Sequence, residues 1–434
     1  MKRWFKDHHF RRLLKNSTYL AVFQGVSAVA GIATSAFAGR SLGVALFGML
    51  VLISSYAQLI SGISKFQSWQ MVVRYGGRAL ASEEPLEFKE AIGFALGLDI
   101  ASGIFGMAVA IALLPFLAGK FGIPDRYLWE AMLYCTLVPT IASATPDGVL
   151  RSLDRFDLIA RQDGGASIVR AILSGLGWAM HAPFWAFVLI WYVTTLGSDL
   201  WLWFLAWREL RRRDLLKGIR PVLRPKALPG AWRFAIHTNL YTTLLSGSRS
   251  LTPLLVGSLL GPAATGLYRV ASSAAGVVRK PADLLLKAYY PEIVAMDFSS
   301  SKPWKLMLRA AALAGAIALV VALILLVGGK ALIAAIFGKH FLGAYAPLLV
   351  LCVGSLLGML SFPLPPMLYS LDRTEAPLKA RVTGTGAQIL LIAPLVWALG
   401  LVGAAAAQVI GYAVSLIVMM LSLHGEYRRL RHAT

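Results

Sequence analysis

Acidic residues are scarce in this 434-residue chain: 21 Asp and Glu stand against 42 Lys and Arg, a formal balance of +21. Charge of either sign is thin as well, at 15%, where a soluble domain carries about 25%. Cysteine is nearly absent. Cys135 and Cys352 both sit in apolar sequence with no His or acidic neighbour at ligand spacing, so neither a disulfide framework nor a metal site is implied. The chain also lacks a Walker A loop, a GxGxxG placed after a strand, an HExxH and a GxSxG. Its longest polar stretch is too short for a catalytic domain, so no enzyme activity and no cofactor are expected.

What the chain has in excess is apolar residues, at 57%. They fall in blocks of about 20, the length that crosses a ~30 Å hydrocarbon layer as a helix. The expectation is an all-α polytopic membrane protein with twelve transmembrane helices. They are placed near 19–38, 45–70, 90–114, 128–150, 158–180 and 184–206, then 234–258, 264–288, 307–328, 343–368, 378–398 and 402–422. The first block follows six basic residues and ends Ala36-Phe37-Ala38-Gly39, which imitates a signal peptide. At 19–38 it is longer than the roughly 7–15 residues of a signal core, so it reads as a retained helix. Twelve Trp, many around 178–207, suit an aromatic belt.

Basic residues sort by side. Thirty-three of the 42 fall before the first span, in every second loop and after the last span; five fall in the opposite loops and four inside spans. By the positive-inside rule both termini are cytoplasmic. The surplus is thereby a topology signal, and a nucleic-acid partner is not expected.

A shift of 218 residues lays Gly39-Arg40-Ser41-Leu42-Gly43 and Phe47-Gly48 over Gly257-Ser258-Leu259-Leu260-Gly261 and Thr265-Gly266. The same shift lays Ser152-Leu153-Asp154-Arg155 over Ser370-Leu371-Asp372-Arg373. One offset near half the chain length argues for a duplicated six-helix unit, with lobes at 1–207 and 234–434 joined by a basic cytoplasmic linker at 208–233. An even helix count makes the repeat parallel, a plan on which transporters bind substrate between the halves.

Polar residues at three-to-four spacing mark span faces turned toward protein or water. Such stripes carry Ser54, Gln58, Ser61, Lys65 and Ser68; Asp163, Ser167, Arg170 and Ser174; Asn239, Thr242, Ser246 and Arg249; Arg269, Ser273 and Lys280; and Arg381, Thr385 and Gln388. An Arg at the bilayer centre costs about 2.5–3.5 kcal/mol on insertion scales and is kept where a cavity, an anion or an acid compensates it. Arg170 and Arg249 lie near mid-span and lead as anion-binding candidates, the alternative being a structural pair with Asp99 or Asp163. Lys65 and Arg269 lie nearer the span ends, where snorkelling also accounts for them. Lys280 and Arg40 lie at span boundaries. Among the acids Asp99 is the most isolated in apolar sequence; it, Asp163 and Asp147 are candidates for a coupling proton or for pairing with an Arg.

The two six-helix halves resemble the multidrug/oligosaccharidyl-lipid/polysaccharide exporter superfamily. Three stretches are similar to its oligosaccharide flippase branch: Gly39-Arg40-Ser41-Leu42-Gly43, Gly148–Asp157, and Gly261–Tyr268 leading to Lys280-Pro281 and Tyr290-Pro291. The resemblance implies translocation of an undecaprenyl-diphosphate-linked oligosaccharide to the outer leaflet of a bacterial plasma (inner) membrane, for O-antigen, capsule or exopolysaccharide assembly. The partners it implies are the lipid-linked oligosaccharide, membrane lipid and a polysaccharide polymerase and co-polymerase. On that reading Arg249, Arg170, Arg269 and Lys65 hold the diphosphate, because Arg matches phosphate oxygens bidentately. Asn239, Gln58 and Gln388 then contact the glycan or line the lumen. The competing readings are a drug/cation antiporter of the same superfamily, which would line its cavity with acids, and a non-transporting scaffold.

Overall fold

The structure, a computed structural model, describes residues 8–433 except 83, 142, 143, 295, 297, 299 and 300. Side chains are not described at 8–21, 81, 237, 238, 240–249, 280, 281, 283, 284, 287, 288, 291, 294 and 430–433. The elements of the described chain are all helices: α1 (His8–Ser64), α2 (Ser68–Met71), a π-turn (Val72–Gly76), α3 (Gly77–Ala81), α4 (Pro85–Leu117), α5 (Leu128–Cys135), α6 (Ala144–Ser152), α7 (Phe156–Ala179) and α8 (Phe184–Arg212). There follow α9 (Ala231–Val294), α10 (Lys302–Ile336), α11 (Tyr345–Ser361), α12 (Leu364–Ser370), α13 (Glu375–Leu399) and α14 (Leu401–Ala433). Among the described residues eight helical stretches, from Val22–Leu80 to Leu401–Arg429, are long and apolar enough to cross a membrane. Two of them, Val22–Leu80 and Ser250–Arg279, each fall on a pair of expected spans joined in one helix, α1 and α9. The chain is an all-α polytopic membrane protein.

Two expected spans are not among those eight, for two physical reasons. The stretch 128–150 is interrupted between Cys135 and Ala144, where Pro139 has no N–H to continue the ladder. The stretch 158–180 is an unbroken helix, but Arg161, Asp163 and Arg170 lower its hydropathy.

The 218-residue offset recurs in the backbone. α1 and α9 each merge two helices across a kink, at Gly43 (φ 71°, ψ 177°) and Gly261 (φ 82°, ψ 179°). That conformation is nearly closed to a residue with a Cβ, which explains glycine at both places. Asp154 (φ 58°) and Asp372 (φ 60°) repeat it at the ends of α6 and α12. There Arg155 N donates to Leu150 O and Arg373 N to Leu368 O, both at 2.8 Å, while Asp154 N and Asp372 N donate to Arg151 O and Tyr369 O. These are paired bonds of a Schellman cap, with Asp at the left-handed position. The next residue in each copy is an Arg that reaches an acid on the last helix of its half, Arg155 to Glu209 (2.6 Å) and Arg373 to Glu426. Each acid also meets an Arg one turn on, Arg212 and Arg429.

By contacts the chain divides into a first unit, Met1–Leu42 with Met49–Leu254, and a second unit, Gly43–Gly48 with Leu255–Thr434. This differs from the 1–207, 208–233 and 234–434 division for two reasons. Residues 43–48 pack where Gly48 meets Pro262 and Gly266. The linker, for its part, is docked on α4: Val222 N donates to Gly93 O (3.0 Å), and a Cβ on Gly93 or Gly97 would strike the linker backbone at Arg220 O or Val222 O.

Each unit has its own core. In the first, Val72, Phe88, Ile92, Leu150, Leu158, Leu205 and Leu210 are buried together, with Leu215, Leu216 and Ile219 of the linker packed against them. In the second, Tyr289, Ile293, Met367, Leu368 and Leu423 form the core, flanked by Phe298 and Trp304.

Candidate functional site

Breaking a helix inside a membrane frees carbonyls at the end of the first half and N–H groups at the start of the second. The gap between α5 and α6 does this, and two charged side chains meet it. Lys65, in the break between α1 and α2, donates from Nζ to Pro139 O (2.9 Å) and Ile141 O (2.7 Å). Asp99, on α4, accepts from Thr145 N (2.9 Å) and Thr145 Oγ1 (2.7 Å) at the start of α6, and also from Ser68 Oγ. The cation thus meets carbonyls of the turn that follows α5, and the anion the positive end of α6, the sign that a helix dipole favours there. Both side chains are buried, at 4% and 5% exposure, and each acts electrostatically on the other.

A second cluster adjoins the first. Arg170 on α7 donates from Nε to Thr194 Oγ1 and from its guanidinium NH2 to Thr195 Oγ1, both 2.8 Å, on α8. One turn further along α8, Asp199 lies in the field of both Lys65 and Arg170 and is hydrogen-bonded by the Thr140 side chain, within the helix break. Its Oδ2 is buried with no hydrogen-bond partner among the described residues. Lys65 is thereby coupled through space to Asp99 and Asp199, and Asp199 to Arg170, so the four charges form one electrostatic cluster around a discontinuous helix, wholly within the first unit. Such breaks, with half-helix ends turned toward charge, are how membrane carriers present backbone groups to a polar ligand.

The other candidates lie elsewhere. Asp147 pairs with Arg151 (2.7 Å) on α6, and that guanidinium also covers Trp69. Asp163 is exposed on α7 and accepts from Ser27 Oγ (2.9 Å). Arg170 accordingly bonds the two threonines and lies in the field of Asp199; Asp163 is not among these partners. Gln58 and Arg40 are exposed, and Asn239 is half-buried. In the second unit Arg269 is exposed and Gln388 half-buried. The side chains of Arg249 and Lys280 lie outside the described residues.

Asp199 is the residue that the sequence reading passed over. Its signal was present: Thr194, Thr195, Ser198 and Asp199 make a polar stripe on α8 of the kind sought on other helices. The Trp-rich surroundings drew that helix into the aromatic belt instead. The second unit has a different polar chain, also unforeseen. Tyr268 Oη donates to Gln408, Gln408 Nε2 to Tyr412 Oη (3.1 Å), and Arg279 to the same hydroxyl (2.9 Å).

The two units thus carry unlike interiors on related sequence. At the 218 offset Asp99, Arg170 and Asp199 meet Ile317, Gln388 and Ile417.

Comparison with known proteins fits this architecture. Residues 89–346 match the family described as polysaccharide biosynthesis protein. The chain is 42% identical over 347 residues to inner membrane protein YghQ of Escherichia coli (strain K12), covering 80% of this chain and 98% of that protein. Among solved structures, an inward-facing multidrug resistance MATE family transporter of the MOP superfamily superimposes with a TM-score of 0.76. It is 15% identical, with 98% of this chain and 99% of that one covered. The lipid II flippase MurJ, in an inward closed conformation, gives 0.67 at 13% identity, covering 93% and 87%. The structural likenesses establish a shared fold; with the family match and the close relative, they place this chain in the polysaccharide biosynthesis protein family, on the fold of the MATE and MurJ transporters.

Proposed function

We propose that this protein is a flippase, not an enzyme, that carries an undecaprenyl-diphosphate-linked oligosaccharide from the cytoplasmic to the outer leaflet of a bacterial inner membrane by alternating access. The cargo would feed O-antigen, capsule or exopolysaccharide assembly, with a polymerase and co-polymerase downstream. The observation that carries the reading is the cluster of Lys65, Asp99, Arg170 and Asp199 at the α5–α6 break, the first two buried, Arg170 and Asp199 half-buried. Burying Lys65 and Asp99 and half-burying Arg170 and Asp199 in one membrane-embedded unit is costly, and such groups mark substrate and ion pathways. Family membership and the inner-membrane relative support the cargo class and the compartment.

In this scheme Arg170 is the diphosphate-binding cation of the first unit, its two threonine bonds being exchangeable for phosphate oxygens. Lys65 holds the broken helix in register. Arg249, Arg269, Lys280 and Arg40 supply further cations, and Asn239, Gln58 and Gln388 the amide contacts to sugar. The coupling proton belongs on Asp199, whose free oxygen sets it apart from the three-fold hydrogen-bonded Asp99. Both termini face the cytoplasm in this assignment.

The test is made in cells lacking the protein. Complete lipid-linked oligosaccharides are expected to accumulate on the cytoplasmic side while surface polymer falls. Wild type restores export; Arg170→Ala and Asp199→Asn, present at normal level, do not. The second reading, a drug or cation antiporter, draws on the acids Asp99, buried, and Asp199, half-buried. Unchanged lipid intermediates together with new sensitivity to cationic dyes would select it and sink the flippase.

A further inference from the structure

The linker between α8 and α9 is not a tether. Its main chain is fastened to α4 through Val222 N to Gly93 O, and Glu90 accepts from the backbone N–H groups of Lys226 and Ala227. Gly93 and Gly97 let it approach to backbone contact. Its apolar residues point inward: Leu215, Leu216 and Ile219 pack on one core cluster, and Leu228 is buried in another with Met71, Phe94 and Ala235. Everything basic points outward. Arg211, Lys217, Arg220, Arg224, Lys226 and Arg233 are all exposed, and among the described residues none of these side chains makes an ion pair.

The acids nearby do not neutralise this face. Among the described residues, Glu209 is buried against Arg155 and Arg212, Glu90 is occupied by the linker backbone, Glu87 is half-buried in the field of Glu84 and Glu90, and Asp214 and Glu84 are exposed. Aromatic rings bracket the segment where it leaves and re-enters the apolar region. Trp207 is exposed at one end; Trp232 is exposed at the other, its indole N–H pinned to Leu223 O (2.8 Å). Exposed Trp at both ends is what a segment lying in the headgroup layer presents.

We infer that the docked linker is a binding surface for anionic phospholipid headgroups of the leaflet on its side of the membrane. Positive-inside sorting needs cations in this loop but does not need them held on a fixed backbone with one apolar and one cationic face. A fixed array engages several headgroups without the ordering cost that a loose loop bears, and each Lys or Arg at an anionic surface adds binding that salt screens.

The experiment titrates the purified full chain in nonionic detergent with short-chain phosphatidylglycerol, and in parallel with short-chain phosphatidylcholine. Phosphatidylglycerol is expected to bind and to raise the thermal midpoint at 50 mM NaCl, an effect lost at 1 M; phosphatidylcholine does neither. The Arg220→Gln/Arg224→Gln/Lys226→Gln protein is expected to bind phosphatidylglycerol roughly ten- to a hundred-fold more weakly. Its midpoint without lipid should match wild type, since the linker is docked by its backbone. Should that variant be unstable, the salt dependence of the wild-type chain decides alone. Equal binding of the two lipids, binding indifferent to salt, unchanged affinity in a stable triple variant, or the same midpoint rise from inorganic pyrophosphate alone would each overturn the inference. Export of the lipid-linked cargo is not the readout, so failure here leaves the flippase reading standing.

Discussion

Lys65 shows why a charged residue in a span need not belong to a ligand-binding surface. Its ammonium bridges two carbonyls freed by the α5–α6 break, and Asp99 answers from the other side through Thr145. Removing one member of a buried pair leaves an uncompensated charge, at a cost of roughly 3–5 kcal/mol. Lys65→Met is therefore expected to lower the thermal midpoint of the detergent-solubilised protein strongly. Lys65→Met/Asp99→Asn should recover part of the loss, because the stranded carboxylate is gone; equal midpoints for the single and double variants would refute the coupling. Arg170 differs. Its partners are hydroxyls on α8 that find one another or water when it is cut back, so Arg170→Ala should cost about 1 kcal/mol or less of stability while abolishing export.

The elements carry two devices written twice. At Gly43 and Gly261 the chain turns through a conformation reserved for glycine, and no neighbour lies within 4 Å of a would-be Cβ at either position. Substitution there is consequently a matter of backbone strain with no steric clash. Gly43→Ala and Gly261→Ala should each destabilise by about 1–3 kcal/mol, read as a lowered midpoint with unchanged helix content by circular dichroism. The second device is the cap-and-clamp at the ends of α6 and α12. Asp157, and then Glu209, hold the Arg155 guanidinium protonated above its already high ordinary value. Glu209 is 4% exposed at its side chain and Arg155 27%, so most of the pair is out of water. Arg155→Met should destabilise by roughly 3 kcal/mol. The exchange Arg155→Glu/Glu209→Arg should restore a good part of that; a swap no better than the single variant would mean the bridge is incidental.

At the scale of the whole molecule, charge fixes orientation. Cysteine substitution tests it cleanly because the two natural cysteines are buried. Lys120→Cys is expected to react with a membrane-impermeant maleimide in intact cells, and Lys217→Cys only after permeabilisation. Labelling of Lys217→Cys in intact cells would invert the proposed topology. The electrostatic cluster sits in the first unit, and the corresponding positions of the second carry Ile317, Gln388 and Ile417. On the proposed function coupling is a task of one unit, so Asp199→Asn should block export where Tyr412→Phe, in the second unit's chain of Tyr268, Gln408, Tyr412 and Arg279, impairs it less.

Hydropathy and the 218-residue offset were enough to read an all-α membrane chain and the paired Gly43/Gly261 and Asp154/Asp372 positions. These are local properties: apolar length, and residues whose backbone conformation is set by their own chemistry. Sequence pattern also singled out Lys65, Asp99 and Arg170, because polar residues in apolar helices stand out one at a time. It did not join them. That Lys65 serves the carbonyls of Pro139 and Ile141, that Asp99 starts α6, that Arg170 lies in the field of Asp199, and that the linker lies fixed on α4 are all decided by which helices pack together. Partners 46 to 137 residues apart along the chain are brought within 3.5 Å only by tertiary packing, and no spacing rule along one helix encodes that.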